Sequence, residues 1–145
     1  MLSQTAEYAL RAIVTLAQDE SGAATAQHIA SQSQVPLDYL SKVMSALSRA
    51  GLVHAQRGRN GGFSLAVRAG KMTVLDVVNA VEPIRRIRSC PLRFRAHSKS
   101  MCPLHKKLDH ALALVEDAFR STSIASLCEP TALCEEKTHV AIASR

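Results

Sequence analysis

The sequence predicts a mainly α-helical protein that carries one two-stranded β-hairpin and a long helix in its C-terminal half. Three observations support this fold class. Apolar residues recur at helical spacing along most of the chain. An Asn-Gly pair lies between two short β-like runs, which is a strong hairpin signal. Aromatic residues are only 3% of the 145 residues and Trp is absent, so aliphatic helix packing should form the core.

Two helices are predicted at the N-terminus, over residues 3–18 and about 26–33. Ser3 and Thr25 stand immediately before them, and both residue types cap helices by accepting a backbone N–H bond. The apolar positions of the first helix recur every three or four residues, as expected of one buried face. They are Ala6, Ala9, Leu10, Ile13, Val14 and Ala17.

A third helix is predicted to begin at Pro36, after a polar turn at residues 31–34. Proline suits the first helical position, where its missing N–H costs nothing. Gly51 should end this helix as a left-handed cap residue. The predicted buried stripe consists of Leu40, Val43, Met44 and Leu47.

Two strands follow, at residues 52–56 and 63–66, joined by the basic, glycine-rich sequence RGRNGG. Two short helices, a turn, a third helix and a basic hairpin together predict a winged helix-turn-helix. In that fold the third helix enters the major groove of DNA, and the hairpin reaches along the backbone or into the minor groove. The alternative is a small helical domain with a surface hairpin. The candidate DNA-binding residues are Asp38, Tyr39, Ser41, Lys42, Arg57 and Arg59.

The charge agrees with a nucleic-acid partner. The net charge is +6 and the sequence pI is about 9.5, although an anionic membrane or an acidic protein would match the same charge. The N-terminus lacks the basic and apolar regions of a signal peptide. No apolar run approaches the roughly 20 residues that span a bilayer. We therefore expect a cytoplasmic protein without a membrane partner.

The C-terminal half should contain three further helices. Thr73 and Asp76 form a cap-like pair before a helix that runs to residue 81. A long helix should run from Pro103 to about residue 121, and Ser123 should cap a final short helix. The expected units are residues 1–82 for DNA binding, 83–128 for a ligand-binding loop and dimerisation helix, and 129–145 for a flexible tail.

The long helix is predicted to form a homodimer. Its apolar residues alternate at intervals of four and three, which is the pattern of a helix-pairing seam. They are Leu104, Leu108, Ala111, Leu112, Val115 and Phe119. The alternative is packing against the first helix of the same chain, and both contacts can coexist.

A basic segment with thiols and imidazoles precedes this helix. Residues 89–105 read SCPLRFRAHSKSMCPLH and contain no carboxylate. A stretch with so few apolar residues needs something other than packing to order it, and a metal centre would do so. Two Cys and two His could bind tetrahedral zinc. The simpler interpretation is that the thiols are small reduced apolar groups and the histidines are solvated.

The chain resembles the IscR/NsrR/RirA family of bacterial winged-helix regulators. The matching stretches are EYALRAIVTLA, VPLDYLSKVMSALSRAGLV, RGRNGGFSLA, TVLDVVNAVEP and the Cys-containing loop, over about residues 1–128. The resemblance implies a homodimeric transcription regulator, typically a repressor, that binds a dyad-symmetric operator. It also implies an iron–sulfur cluster whose redox state, nitrosylation or loss decides whether DNA is bound.

The cysteines depart from the pattern of that family. Its cluster-binding members usually carry three cysteines, each separated by five residues, whereas eleven residues separate Cys90 from Cys102 and Ala96 stands between them. The resemblance implies that Cys90, Cys102, His105 and the partner subunit's Glu7 hold a [2Fe–2S] cluster. His97 is the reserve ligand.

Spacing alone does not separate this cluster from zinc, and the resemblance favours the cluster. A cluster-free or zinc-binding thiol regulator of the same fold is the alternative function. Cys128 and Cys134 are expected to be free thiols. An enzyme with Cys102 as nucleophile and His105 as base is a further alternative. No third residue orients the pair and no glycine-rich phosphate loop is present, so we predict that the chain is not an enzyme.

Overall fold

The computed structural model describes residues 2–59, 61–88 and 102–128, and it confirms the mainly helical fold with one hairpin. Among these residues, no helix combines the length and the hydrophobicity that crossing a bilayer requires. The elements in chain order are α1 (Gln4–Gln18), α2 (Ala26–Ser33), α3 (Leu37–Arg49), β1 (Val53–Gln56), β2 (Gly62–Leu65), α4 (Val74–Val81), α5 (Pro103–Ser121) and α6 (Ile124–Cys128).

Helix α1 is the centre of the hydrophobic core. It packs against α2, α3, α4 and α6. Three alanines on its buried face, Ala6, Ala9 and Ala12, have almost no exposed surface and let the neighbouring helices approach closely. The largest fully buried side chains around them come from every helix except α5, and they include Ile13, Ile29, Leu40, Met44, Leu47, Val77 and Ile124.

The predicted helix caps are confirmed by their hydrogen bonds. The hydroxyl of Ser3 accepts the N–H of Ala6, and the hydroxyl of Thr25 accepts the N–H of His28. At α4 a reciprocal capping box forms between Thr73 and Asp76. Each side chain thus satisfies a backbone donor that has no partner within the helix.

The third helix differs from its prediction by one residue. Pro36 is the residue before α3 rather than its first residue, because its backbone is extended, with ψ at 133°. Helix α3 ends as predicted, since Gly51 follows it with φ at 74°, in the left-handed region. The N–H of Leu52 then bonds the carbonyl of Leu47, so β1 leaves the end of α3 in a defined direction.

The hairpin is antiparallel, with Val53 opposite Leu65 and Gln56 opposite Gly62. A five-residue connection joins the strands, rather than the two-residue turn that Asn-Gly typically forms. A contact that the sequence did not indicate holds the hairpin to the core, because Ala24 and Phe63 exchange both backbone hydrogen bonds, at 2.9 and 2.8 Å. A Cβ at Gly62 would lie 2.6 Å from the carbonyl oxygen of Ala24, so glycine permits this approach.

The C-terminal helices return to the same core. The N–H of Val74 bonds the carbonyl of Thr122, and the N–H of Ile124 bonds the carbonyl of Met72. Ile124 is fully buried against α1 and its neighbours. The hydrophobic core therefore continues across the boundary that the sequence suggested at residue 82. The tail expected at residues 129–145 lies outside the described residues.

Candidate nucleic-acid interface and thiol–imidazole site

Helix α3 presents a polar face next to its buried stripe. Asp38, Ser41 and Lys42 are exposed near its N-terminal end, where recognition helices contact base edges. The buried side of the helix holds it to α1, α2 and α4. The face is therefore rigidly presented, with a carboxylate, a hydroxyl and an ammonium group within two turns.

Tyr39 differs from the other predicted contacts because it is half-buried and its side chain contacts α1. Its hydroxyl lies 2.9 Å from the hydroxyl of Thr5, and its ring meets the ring of Tyr8 edge-on, with 5.3 Å between centroids. The ammonium of Lys42 lies 6.0 Å from the Tyr39 ring centroid. Tyr39 thus connects the candidate recognition helix to α1, and its ring lies next to the ammonium of Lys42.

The hairpin presents the two predicted arginines. Arg57 and Arg59 are both exposed in the connection between β1 and β2. The N–H of Gly61 donates to the carbonyl of Gly58 at 2.9 Å, and Gly58 has φ at 114°, which an L side chain rarely adopts. The glycines therefore allow a tight connection, and the two arginines make it basic. The Ala24–Phe63 bridge holds this hairpin against the core.

Cys102 and His105 form a buried thiol–imidazole pair at the start of α5. Cys102 is the residue before the helix and His105 lies one turn later, which puts the Sγ and Nδ1 atoms 3.9 Å apart. Only 8% of Cys102 and 2% of His105 is exposed. Within the described part of the chain, His105 Nε2 is buried without a hydrogen-bond partner. The solvated histidine of the simpler interpretation is therefore wrong for His105.

The spacing of this pair fits two ligands of one metal. Thiolate and imidazole bonds of about 2.3 and 2.0–2.1 Å in tetrahedral geometry place sulfur and nitrogen about 3.6 Å apart. The observed 3.9 Å needs little adjustment. In the described residues no three Cys, His, Asp or Glu side chains come together as a complete site. Cys90 and His97, the remaining candidate ligands of the chain itself, lie outside those residues.

Glu7, the fourth candidate ligand, lies on α1. Its side chain is 47% exposed and forms an ion pair with Arg11, one turn along the same helix. An exposed carboxylate on the outer face of α1 is open to a second subunit, which the predicted ligand role requires.

An ion-pair cluster that sequence reasoning missed lies beside this site. Asp109 accepts from Arg86 Nε at 2.7 Å, from Arg86 Nη2 at 2.5 Å and from the backbone N–H of Ile87 at 3.2 Å. The hydrogen bonds from Arg86, and then that of Ile87, hold the pKa of Asp109 below its usual range. Arg86 also lies 3.5 Å from Glu116. The residues involved are 23 and 30 positions apart in the sequence, so no local pattern signalled the cluster.

Cys128 is a half-buried thiol at the end of α6. Its sulfur donates to the carbonyl of Ile124 at 3.3 Å and packs against the core. Burial raises the pKa of the Cys128 thiol. Cys134, the other thiol expected to be free, lies outside the described residues.

Cys128 should react slowly with alkylating reagents. Its raised pKa lowers the fraction of thiolate, which is the nucleophilic form. In the folded protein at about pH 8, we expect iodoacetamide to modify Cys128 several-fold more slowly than in the urea-unfolded chain, as followed by peptide mass spectrometry. Equal rates in the two states would contradict this expectation.

The recognition-type helix, the basic hairpin bridged to the core and the buried helices beneath them define a winged helix-turn-helix DNA-binding regulator. Comparison with known proteins agrees with this class. The chain belongs to the Rrf2 family, described as an iron-dependent transcriptional regulator, whose model matches residues 2–130. This confirms the family resemblance seen in the sequence. It also confirms the expectation of a regulator rather than an enzyme.

Three relatives illustrate the match. An HTH-type transcriptional regulator of Aquifex aeolicus is 30% identical over 130 residues, covering 88% of this chain and 90% of that protein. The oxidized form of Staphylococcus aureus CymR is 25% identical, with a TM-score of 0.69, covering 90% of this chain and 98% of that one. IscR of T. potens shares the fold at 20% identity and a TM-score of 0.72, covering 100% of this chain and 93% of that one.

Proposed function

We propose that this protein binds its operator as a homodimer, through α3 and the hairpin of each subunit. The exposed residues of α3, Asp38, Ser41 and Lys42, would contact base edges and phosphates in the major groove. Arg57 and Arg59 would enter the minor groove, where the negative potential favours arginine. Tyr39 would act indirectly, by positioning Lys42 against its ring. Acting on DNA, the regulator would work in the cytoplasm.

The hairpin arginines can be tested by an Arg57→Ala, Arg59→Ala double mutant. Removing both guanidinium groups should weaken operator binding by roughly 2–6 kcal/mol if each contributes about 1–3 kcal/mol. The effect should appear in fluorescence-anisotropy titrations at fixed salt, with a salt slope lower by about one unit for each phosphate that is no longer neutralised. An Arg68→Ala variant, outside the hairpin, is the control. Unchanged operator affinity in the double mutant would refute the role of the hairpin.

Dimerisation would use the outer face of α5. Leu104 and Leu108 are 45% and 40% exposed, whereas Leu112 and Phe119 are half-buried against their own chain. The predicted apolar stripe thus divides into an inner and an outer part. Within its own chain α5 packs mainly against α4, rather than against the first helix as the alternative from the sequence had it. The outer face of α5 in one subunit would pack against the same face of α5 in the other, because a two-fold dimer interface uses the same surface on both subunits.

We infer further that operator binding is switched at the thiol–imidazole site. Cys90, Cys102 and His105 of one subunit, with the partner subunit's Glu7, would hold a [2Fe–2S] cluster. The observation that carries this proposal is the buried Cys102–His105 pair, whose Sγ and Nδ1 atoms lie 3.9 Å apart. When bound, such a cluster supplies sensitivity to oxidants, nitric oxide and iron supply, and non-thiolate ligands on one iron are known chemistry.

The position of the pair suggests how its state reaches the DNA. Cys102 and His105 lie at one end of α5, and the other end is tied to α4 through Thr122 and Val74. A change at the ligand end would therefore tilt α5 against its partner and alter the spacing of the two winged units. The two half-sites of an operator lie about 34–36 Å apart, so a small misalignment of the two winged units prevents the second unit from binding its half-site. A free-energy difference of a few kcal/mol between the two arrangements of the dimer is enough for a large shift in their populations.

The second candidate function is a cluster-free or zinc-binding thiol regulator. The eleven-residue gap between Cys90 and Cys102 and the similarity to the oxidized form of S. aureus CymR support it. Anaerobic purification with an absorption spectrum and iron, sulfide and zinc analysis discriminates the two. Iron and sulfide in equal, stoichiometric amounts support the cluster, whereas zinc without sulfide, or no metal, supports the thiol regulator.

A further inference from the structure

We propose that Asp38 and Ser41 bind exocyclic amino groups of bases in the major groove, and that Asp38 thereby selects a cytosine in each operator half-site. The proposal rests on the proposed function, because it assumes that α3 is the recognition helix. It deepens that function by naming the chemical group that each of the two side chains would recognise.

The two side chains share one exposed face of α3. Asp38, Ser41 and Lys42 are neighbours on this face, because residues three and four positions apart lie side by side on a helix. Ser45 continues the face one turn further along and is also exposed. The opposite side of the helix carries the buried stripe that packs into the core. The exposed face therefore offers its chemical groups to a ligand in a fixed order.

The hydroxyl proton of Ser41 is already used within the helix. Ser41 Oγ donates to the carbonyl oxygen of Leu37 at 3.3 Å, and Ser45 Oγ donates to the carbonyl oxygen of Ser41 at 2.8 Å. A carbonyl only accepts, so the serine is the donor in each bond. The lone pairs of the Ser41 oxygen can accept from an N–H group without any loss, whereas an acceptor on a base would have to replace the bond to Leu37. Ser41 therefore favours amino groups.

The Asp38 carboxylate also presents acceptors alone. An ionised carboxylate donates no hydrogen bond, so it is repelled by O6 and N7 of guanine and by O4 of thymine. Adenine offers its N6 amino group beside the N7 acceptor, which repels a neighbouring carboxylate oxygen, whereas cytosine offers N4 beside a C5–H group. Cytosine is therefore the base that fits Asp38. Ser41, being neutral, can accept from the amino group of cytosine or adenine in an adjacent pair.

Lys42 supplies the opposite chemistry on the same face. Its ammonium has three donors and no acceptor, and it lies 6.0 Å from the Tyr39 ring centroid. It fits O6 and N7 of guanine, or a phosphate. A C·G pair presents both an amino group and these acceptors in the major groove, so Asp38 and Lys42, one turn apart, would contact the same pair or adjacent pairs.

The sign of two effects separates base recognition from a purely structural role of Asp38. An acidic residue in the first turn, such as Asp38, stabilises a helix through its dipole. Loss of that role alone would weaken binding to every DNA sequence. Loss of base recognition should weaken binding to the preferred sequence and tighten binding to unrelated DNA, because a negative charge that faces phosphates has been removed.

Selection from random DNA provides the probe. Full-length, anaerobically purified protein would select from duplexes randomised over about 30 base pairs, which is enough for two half-sites one helical turn apart. Fluorescence anisotropy would then measure the Kd of the selected duplex and of its single-base variants. We expect one C·G pair in each half-site at which Asp38→Ala lowers discrimination roughly 5- to 150-fold, the usual effect of one base pair.

Two further measurements test the amino group itself. Asp38→Asn should move the preference at this position to adenine, because an amide pairs with both N6 and N7. A 2-pyrimidinone base is cytosine without its N4 amino group. Placed at this position, it should weaken binding by the wild-type protein and should weaken binding by Asp38→Ala no further, as expected when both changes remove one contact.

The chain offers a matched control for each side chain. Glu20→Ala removes an exposed carboxylate from the loop at the other end of α1, and it should leave the base preferences unchanged. Ser45→Ala removes the same kind of bond to a helix carbonyl as Ser41→Ala does. Only Ser41→Ala should relax the preference for an amino-bearing base next to the cytosine.

The outcomes separate this proposal from the proposed function. Wild-type protein that selects no sequence would overturn sequence-specific operator binding itself. A selected operator whose base preferences survive in Asp38→Ala and Ser41→Ala, or relax equally in Ser45→Ala, would overturn base recognition by these side chains and leave operator binding standing. An A·T pair at the position that depends on Asp38 would overturn the assignment to cytosine.

Discussion

Replacing Cys102 with alanine is expected to abolish the chromophore of the proposed iron–sulfur cluster and to change operator affinity by roughly 5- to 150-fold, the usual range for coupling between two sites. Cys102 is a proposed ligand, and the start of α5 holds its buried sulfur 3.9 Å from Nδ1 of His105. Without its sulfur, His105 is the one proposed ligand that remains among the described residues at the start of α5. Protein expressed and purified anaerobically would be compared by absorption spectrum, by iron and sulfide content and by titration with operator DNA.

Cys128→Ala is the matched control for this experiment. It removes another thiol of the same chain, one that bonds Ile124 and lies at the far end of α6. The chromophore and the operator affinity should both survive that change. His105→Ala should leave a labile chromophore, because it removes the second buried donor. A stable chromophore in Cys102→Ala would refute the ligand assignment.

Leu108→Glu is expected to convert the proposed dimer to a monomer and to abolish high-affinity operator binding. Leu108 lies on the outer face of α5 and is 40% exposed within its own chain. Burying a leucine contributes about 1.5–3 kcal/mol, and symmetry repeats the contact, so its loss weakens the dimer by roughly 3–6 kcal/mol before the cost of a buried carboxylate. Sedimentation velocity measures the mass. Operator binding should be lost because a monomer contacts a single half-site, which is a weak target.

Leu127→Glu provides the control for assembly. Leu127 is 42% exposed, a similar fraction, but it lies on α6 rather than on the outer face of α5. This variant should remain dimeric and bind DNA normally. A wild-type protein that sediments as a monomer, or a Leu108→Glu variant that remains a dimer, would remove α5 as the dimer interface.

The sequence by itself determined the elements whose signals are local. Ser3, Thr25 and the Thr73–Asp76 pair predicted three helix starts, because a cap bonds a backbone N–H only two or three residues away. Gly51 predicted the end of α3 for a similar reason, since only glycine adopts the left-handed conformation without strain. The order of these elements was sufficient to predict the winged helix-turn-helix fold.

The tertiary structure decided which of the candidate residues are exposed and which already contact other parts of the chain. Tyr39 reads as an exposed polar residue of a recognition helix, yet its hydroxyl bonds Thr5, 34 positions away. Leu108 and Leu112 belong to one heptad-like stripe, yet only the first faces outward, since the stripe is broad enough to serve two neighbours.

The same holds for the thiol–imidazole site. Cysteine and histidine spacing predicted that Cys102 and His105 share one side of a helix, because one turn separates them. Their burial depends on contacts with other parts of the chain. The Arg86–Asp109 ion pair depends on how the chain after α4 meets α5, and it joins residues 23 positions apart. Local patterns carry the geometry of one helix, whereas contacts between distant segments exist only once the whole core has formed.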